Sequence, residues 1–141
     1  MPTTGYSWKP SEYQASNGNG AEKGCVCVLD DDLSMLKALK RLLKSDGFCV
    51  QTFNEPQAFL AAIGDCPSRM AILDVWMPEM NGLEVQAALR KNSPDTRIIF
   101  ISGRDDPSVR QAALEAGAYG FLSKPFDDEV LLDLVRKATA S

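Results

Sequence analysis

The sequence predicts an α/β fold: a parallel sheet covered by helices on both faces. Three observations carry this. Five short apolar runs, at residues 25–29, 48–53, 70–73, 97–101 and 119–122, alternate with five helical patterns between residues 24 and 138. Two of the runs, Cys25-Val26-Cys27-Val28-Leu29 and Met70-Ala71-Ile72-Leu73, are apolar at every position, as strands buried on both faces are. Four of the runs end in polar side chains for which a buried sheet has no use. Alternation of this kind implies right-handed crossovers within one domain.

Residues 1–23 read as a flexible N-terminal tail, and residues 24–141 as the folded domain. The tail is rich in Ser, Thr, Gly and Asn and has no apolar period, so it buries too little to offset its ordering entropy. After the first strand, Asp30-Asp31-Asp32 breaks the run. Leu33, Leu36, Leu39 and Leu43 then recur at helical spacing, with Lys37, Lys40, Arg41 and Lys44 between them. Asp31 or Asp32 is placed to cap that helix, and Gly47 to end it. A second helix follows over 55–63, with Pro56 tolerated in its first turn. A third spans 83–91 and stops before Ser93-Pro94. The fourth strand is rich in β-branched residues. A short helix over 109–116 ends at Gly117, and a last amphipathic helix covers 127–138.

The chain has 141 residues, 45% of them hydrophobic, and a net charge of −4. That is enough for one core, and the acidic balance argues against nucleic-acid binding by this chain, which needs clustered Lys and Arg. No apolar run approaches the roughly 20 residues of a membrane span. Cys25-x-Cys27 puts two thiols on one side of a strand, but the sequence has no histidine and no second Cys pair to complete a metal site. The four cysteines therefore read as buried reduced thiols. With no secretory signal pattern in view, the expected location is the cytoplasm.

The polar strand ends carry the chemistry. The first strand ends in Asp30 and Asp31, the third in Asp74, the fourth in Ser102, and the fifth in Ser123-Lys124-Pro125. All are carboxyl ends, so a parallel sheet brings them to one rim, where such sheets bind ligands. Carboxylates crowded together raise one another's pKa values. A divalent cation relieves that repulsion, and magnesium suits a site of carboxylates, waters and a phosphate oxygen. Asp74 can then act as a nucleophile towards phosphorus. Lys124 supplies a mobile positive charge and Ser102 a hydroxyl, the positioning that phosphoryl transfer needs. Taken singly, each residue has a plainer reading: a helix cap for Asp30 to Asp32, a turn residue for Asp74 or Ser102, a loop for Lys124-Pro125. Their joint placement at strand ends is what those readings leave unexplained.

Four stretches, in order and spacing, resemble a response-regulator receiver domain of bacterial two-component signalling. They are Val26-Cys27-Val28-Leu29-Asp30-Asp31-Asp32, Ile72-Leu73-Asp74-Val75-Trp76-Met77-Pro78-Glu79-Met80-Asn81-Gly82, Ile99-Phe100-Ile101-Ser102-Gly103, and Gly117-Ala118-Tyr119-Gly120-Phe121-Leu122-Ser123-Lys124-Pro125-Phe126. The resemblance covers residues 24–138. The 77–82 loop further resembles receivers of the nitrogen-fixation-regulator type. The resemblance implies a flavodoxin-like (βα)5 doubly wound sheet of strand order 2-1-3-4-5. It implies that Asp74 is the phosphoacceptor. Magnesium would be held by Asp31 directly, by Asp30 largely through water, by Asp74 and by the backbone carbonyl of Trp76. Ser102 and Lys124 would hold phosphoryl oxygens. Phe121 would be the switch aromatic, turning inward as Ser102 moves onto the phosphate.

The implied donor is a histidine kinase or phosphotransfer protein. The implied response is a change in the surface of the fourth helix, fifth strand and fifth helix, which would also serve a homodimer. Ala112, Ala113, Gly117 and Ala118 keep that surface smooth. Such a domain is a signalling module that promotes its own phosphorylation and dephosphorylation, and it engages neither nucleic acid nor membrane directly. Trp76 and Arg104 are less typical of the positions flanking the acceptor. Their bulk is expected to shield the acyl phosphate from water and slow its hydrolysis. Two other classes compete. A phosphatase of the haloacid dehalogenase type also uses an Asp nucleophile at a strand end, but carries a second Asp where this chain has Trp76. A receiver-like module that is never phosphorylated would not need the full acidic set and Lys124.

Overall fold

The first strand, β1 (Cys25–Leu29), is buried at every position, and so is β3 (Met70–Asp74). These are the two runs without a polar residue before the rim, and they sit side by side at the centre of the sheet. The computed structural model describes residues 24–66 and 70–140, so the expected tail at 1–23 lies outside the described residues. The remaining strands are β2 (Cys49–Phe53), β4 (Arg97–Ser102) and β5 (Gly120–Ser123). All pair in parallel, in the order β2-β1-β3-β4-β5. The strand order implied by the resemblance is the one observed.

Strand residues alternate between two apolar layers, as the two-residue period of a strand requires. Cys25, Cys27, Leu29, Ala71, Leu73, Ile98 and Phe100 meet α2 (Pro56–Ile63), α3 (Gly82–Asn92) and α4 (Pro107–Glu115) on one face, through Phe59, Val85, Leu89 and Ala113. Val26, Val28, Ile72, Ile99 and Ile101 meet α1 (Leu33–Ser45) and α5 (Asp128–Ala140) on the other, through Leu36, Leu39, Leu43, Leu131 and Val135. The four cysteines are buried, and none forms a disulfide. Packing on both faces fixes the sheet, and the sheet in turn fixes its rim.

The helix boundaries follow local chemistry. Asp32 caps α1, its Oδ1 accepting from the backbone N–H of Ser34 at 2.9 Å and of Met35 at 3.3 Å. Gly47, at φ 97°, takes the left-handed conformation that reverses the chain into β2. The third helix begins at Gly82, a residue earlier than its apolar pattern, because Asn81 and Glu84 form a reciprocal capping box. The fourth begins at Pro107, two residues earlier than expected, because Asp106 caps it and proline suits its first position. The fifth strand is displaced by one residue, to Gly120–Ser123, with the Tyr119 N–H donating to the Ile98 carbonyl ahead of it at 2.7 Å.

Candidate functional site

Strand register delivers the polar residues to one rim. Asp30 directly follows β1, Asp74 is the last residue of β3, Ser102 is the last of β4, and Lys124 follows β5. Asp74 pairs with Ile101 across β3–β4, and Ser102 with Ser123 across β4–β5, so neighbouring strand ends lie level. The Asp30 N–H donates to the Phe53 carbonyl at 3.1 Å, and the Lys124 N–H to the Ser102 carbonyl at 2.7 Å. The Lys124–Pro125 peptide is cis. The loop after Asp74 is pinned from behind by Gly82. A Cβ there would lie 2.6 Å from the Asp74 carbonyl oxygen and 2.8 Å from Phe100, so only glycine permits this approach. Its N–H donates to the Val75 carbonyl at 2.7 Å.

The structure brings Asp30, Asp31, Asp74 and Lys124 together. Asp30 and Asp74 are buried, while Asp31 is open to solvent. Lys124 Nζ stands 3.2 Å from Asp30 Oδ2 and 3.7 Å from Asp74 Oδ1. Asp30 Oδ1 also accepts from the Asp32 N–H at 2.9 Å, so this carboxylate is held from both sides. One lysine is thus shared between two of the three clustered carboxyl groups. Burial pushes the Asp74 carboxyl from its ordinary 3.8 up to about 7. The neighbouring Asp30 charge adds to the rise, Lys124 opposes it, and Asp31 and a hydrogen bond with Asp30 contribute further. One carboxylate oxygen each from Asp30, Asp31 and Asp74 lie within 4.8 Å of one another, the one such grouping found among the described residues. Hard oxygen donors with uncompensated charge fit magnesium, which needs only one or two carboxylates beside water and phosphate.

Ser102 and Trp76 are arranged in a way that the sequence did not disclose. The Ser102 hydroxyl donates to the Arg104 carbonyl at 2.7 Å. It accepts from the Arg104 N–H at 3.1 Å and from Trp76 Nε1 at 3.0 Å. The Arg104 guanidinium sits 4.5 Å above the Trp76 ring centroid, a cation–π contact. Phe121 is already inside, 7% exposed, with its ring centroid 5.9 Å from that of Phe100 and Arg110 above it at 5.4 Å. Phe121 is thus buried while the Ser102 hydroxyl is engaged by Trp76 and Arg104. A conjunction of this kind has no one-dimensional signature, because the three partners come from the ends of β3 and β4 and the loop beyond.

The sequence profile of the response regulator receiver domain matches residues 26–136. The chain belongs to this family. As a receiver domain it is 42% identical over 132 residues to the response regulator protein TodT of Pseudomonas putida, an alignment covering 92% of this chain and 58% of that protein. To TmoT of Ectopseudomonas mendocina it is 41% identical over 117 residues, covering 83% and 53%. The solved structure of full-length FixJ from B. japonicum superimposes with a TM-score of 0.78 at 34% identity, covering 84% of this chain and 58% of that one. That likeness fits the regulator type which the 77–82 loop resembles. The receiver domain spans a little over half the length of the curated relatives it matches. It is a signalling domain of two-component systems, and no helix among its described residues is long and apolar enough to cross a membrane.

Proposed function

We propose that this receiver domain accepts a phosphoryl group on Asp74 from a histidine kinase or phosphotransfer protein. The observation that carries the reading is the placing of Asp74: a buried strand-end carboxyl beside Asp30 and Asp31, with Lys124 Nζ at 3.7 Å. Asp74 attacks phosphorus with a carboxylate oxygen. The phosphorus–nitrogen bond to the donor imidazole breaks, that nitrogen takes a proton, and an aspartyl phosphate remains. Lys124 is shared between Asp30 and Asp74, so it is positioned to turn to a phosphoryl oxygen as charge moves onto that group. Ser102 supplies a hydroxyl to another oxygen once it leaves its present partners. Asp30, Asp31, Asp74 and the Trp76 carbonyl would hold magnesium, which when bound neutralises the crowded carboxylates and the phosphoryl oxygens.

Phosphorylation adds roughly two negative charges to the rim. The response passes to the α4-β5-α5 surface, which carries the exposed Leu114, Tyr119 and Val130, and there controls a partner, a second copy or an output domain. Expected location is the cytoplasm, where such kinases present their phosphohistidine. Incubation with acetyl phosphate and magnesium should add one phosphate by intact mass, and Asp74→Asn should add none. Absence of any mass gain in the parent would end this reading.

A further inference from the structure

Ser102 is fully engaged away from Asp74. A hydroxyl has one proton to give and two lone pairs to receive. The proton goes to the Arg104 carbonyl at 2.7 Å, and the lone pairs face the Arg104 N–H at 3.1 Å and Trp76 Nε1 at 3.0 Å. The residue is 1% exposed, so no water competes freely for it. Arg104 then closes the unit on itself, since the residue whose backbone grips Ser102 also lays its guanidinium over the indole that grips Ser102 from the other side. Trp76 is anchored in turn, half-buried against the core layer that holds Phe100 and Phe121.

We propose that Trp76, Ser102 and Arg104 form a latch: the indole N–H holds the Ser102 oxygen beside the Arg104 backbone, and turning the hydroxyl towards a phosphoryl group at Asp74 takes its proton from the Arg104 carbonyl and moves its oxygen off the indole N–H. Trp76 is thus a positioning residue that sets how readily the domain switches, a role separate from any shielding of the bound phosphate. The position of Phe121 supports the separation. It is inside already, so the ring does not hold Ser102 back, and the bonds to Trp76 and Arg104 are what remain to be released. The inference rests on Asp74 being the phosphoryl site.

The latch makes a directional claim. Trp76→Phe keeps an aromatic face beneath Arg104 but removes the donor. Losing one net hydrogen bond that exists only in the unswitched state should tighten binding of a phosphoryl analogue by roughly three- to tenfold. Beryllofluoride with magnesium is the suitable probe, because it does not hydrolyse and so reads the latch without the shield. The measurement is its affinity for the full chain, parent and Trp76→Phe, each with and without Ser102→Ala. The expected result is tighter binding on Trp76→Phe with Ser102 present and no effect with Ala in its place. An equal effect in both backgrounds, or none in either, overturns the latch while leaving the phosphoryl site standing.

A second reading needs no Trp76 variant. In a Trp8→Phe background, the only remaining indole N–H is that of Trp76. Its proton should exchange slowly with solvent before beryllofluoride is added and faster afterwards, with a shift of its NMR resonance. An unchanged indole signal while the rest of the spectrum responds refutes the latch alone. Failure of beryllofluoride to bind the parent at all refutes the phosphoryl site and the latch together.

Discussion

Asp74→Asn should stabilise the fold at neutral and alkaline pH in the absence of divalent cations. The carboxyl is 4% exposed, and its pKa is pushed up to about 7, first by burial and then by Asp30. A folded-state pKa above the unfolded value means the folded form favours the neutral acid. Stability from this group is therefore fully present below about pH 4 and is lost as pH rises through about 7. A rise of about three pH units corresponds to about 4 kcal/mol as an upper limit at pH 8 and above, shrinking to roughly 1–2 kcal/mol at pH 5. Asparagine keeps the shape and cannot ionise, but it leaves Lys124 with one carboxylate fewer, so the net gain at pH 8 is expected to be about 2–3 kcal/mol.

Urea unfolding of the two proteins at pH 5 and pH 8, with chelator present, measures it. Magnesium in tenfold excess over its dissociation constant should stabilise the parent by about 1.4 kcal/mol and leave the variant nearly unmoved. The reasoning is refuted if Asp74→Asn is the less stable protein at pH 8, or if the gap widens on acidification.

Three further outcomes follow from the same geometry. Gly82→Ala pushes a methyl group against the Asp74 carbonyl and Phe100. It should cost about 1–3 kcal/mol in urea unfolding and depress phosphorylation by acetyl phosphate, and a neutral effect on both would mean the loop accommodates a side chain. Trp76→Asn removes the indole and the stack with Arg104, so the aspartyl phosphate should decay several-fold faster in a mass-spectrometric time course; an unaltered half-life would remove the shielding idea. Gln86, 2% exposed, ties α3 to α4 by donating from Nε2 to the Ala113 carbonyl at 3.1 Å. Gln86→Ala removes this bond while the Ala118 N–H still donates to the same carbonyl at 3.0 Å, so stability should fall by about 0.5–1.5 kcal/mol, read by the same unfolding assay.

Much of the site was legible because the fold converts a one-dimensional rule into a three-dimensional one. A residue at the end of a buried apolar run must emerge at the sheet's carboxyl rim when all strands are parallel, so the sequence alone groups Asp30, Asp74, Ser102 and Lys124. Helix starts were less legible. Asp106 and Asn81 set them through side-chain caps, and an apolar period reports the face a helix buries rather than the residue at which it begins. Gly82 was visible only as the end of an Asn-Gly turn, since its contact with the Asp74 carbonyl joins segments whose approach depends on packing.

The sequence by itself determined the alternation of strands and helices and the chemical types that reach the rim. It did so because period, polarity and chain breaks are local properties. Only the tertiary structure decided what those groups do to one another. It shares Lys124 between two carboxylates, lifts the Asp74 pKa through burial, places Phe121 inside, and turns the Ser102 hydroxyl towards Trp76 and Arg104. Those are matters of a few ångström between residues from different strands, and distance of that kind is set by how the two apolar layers pack.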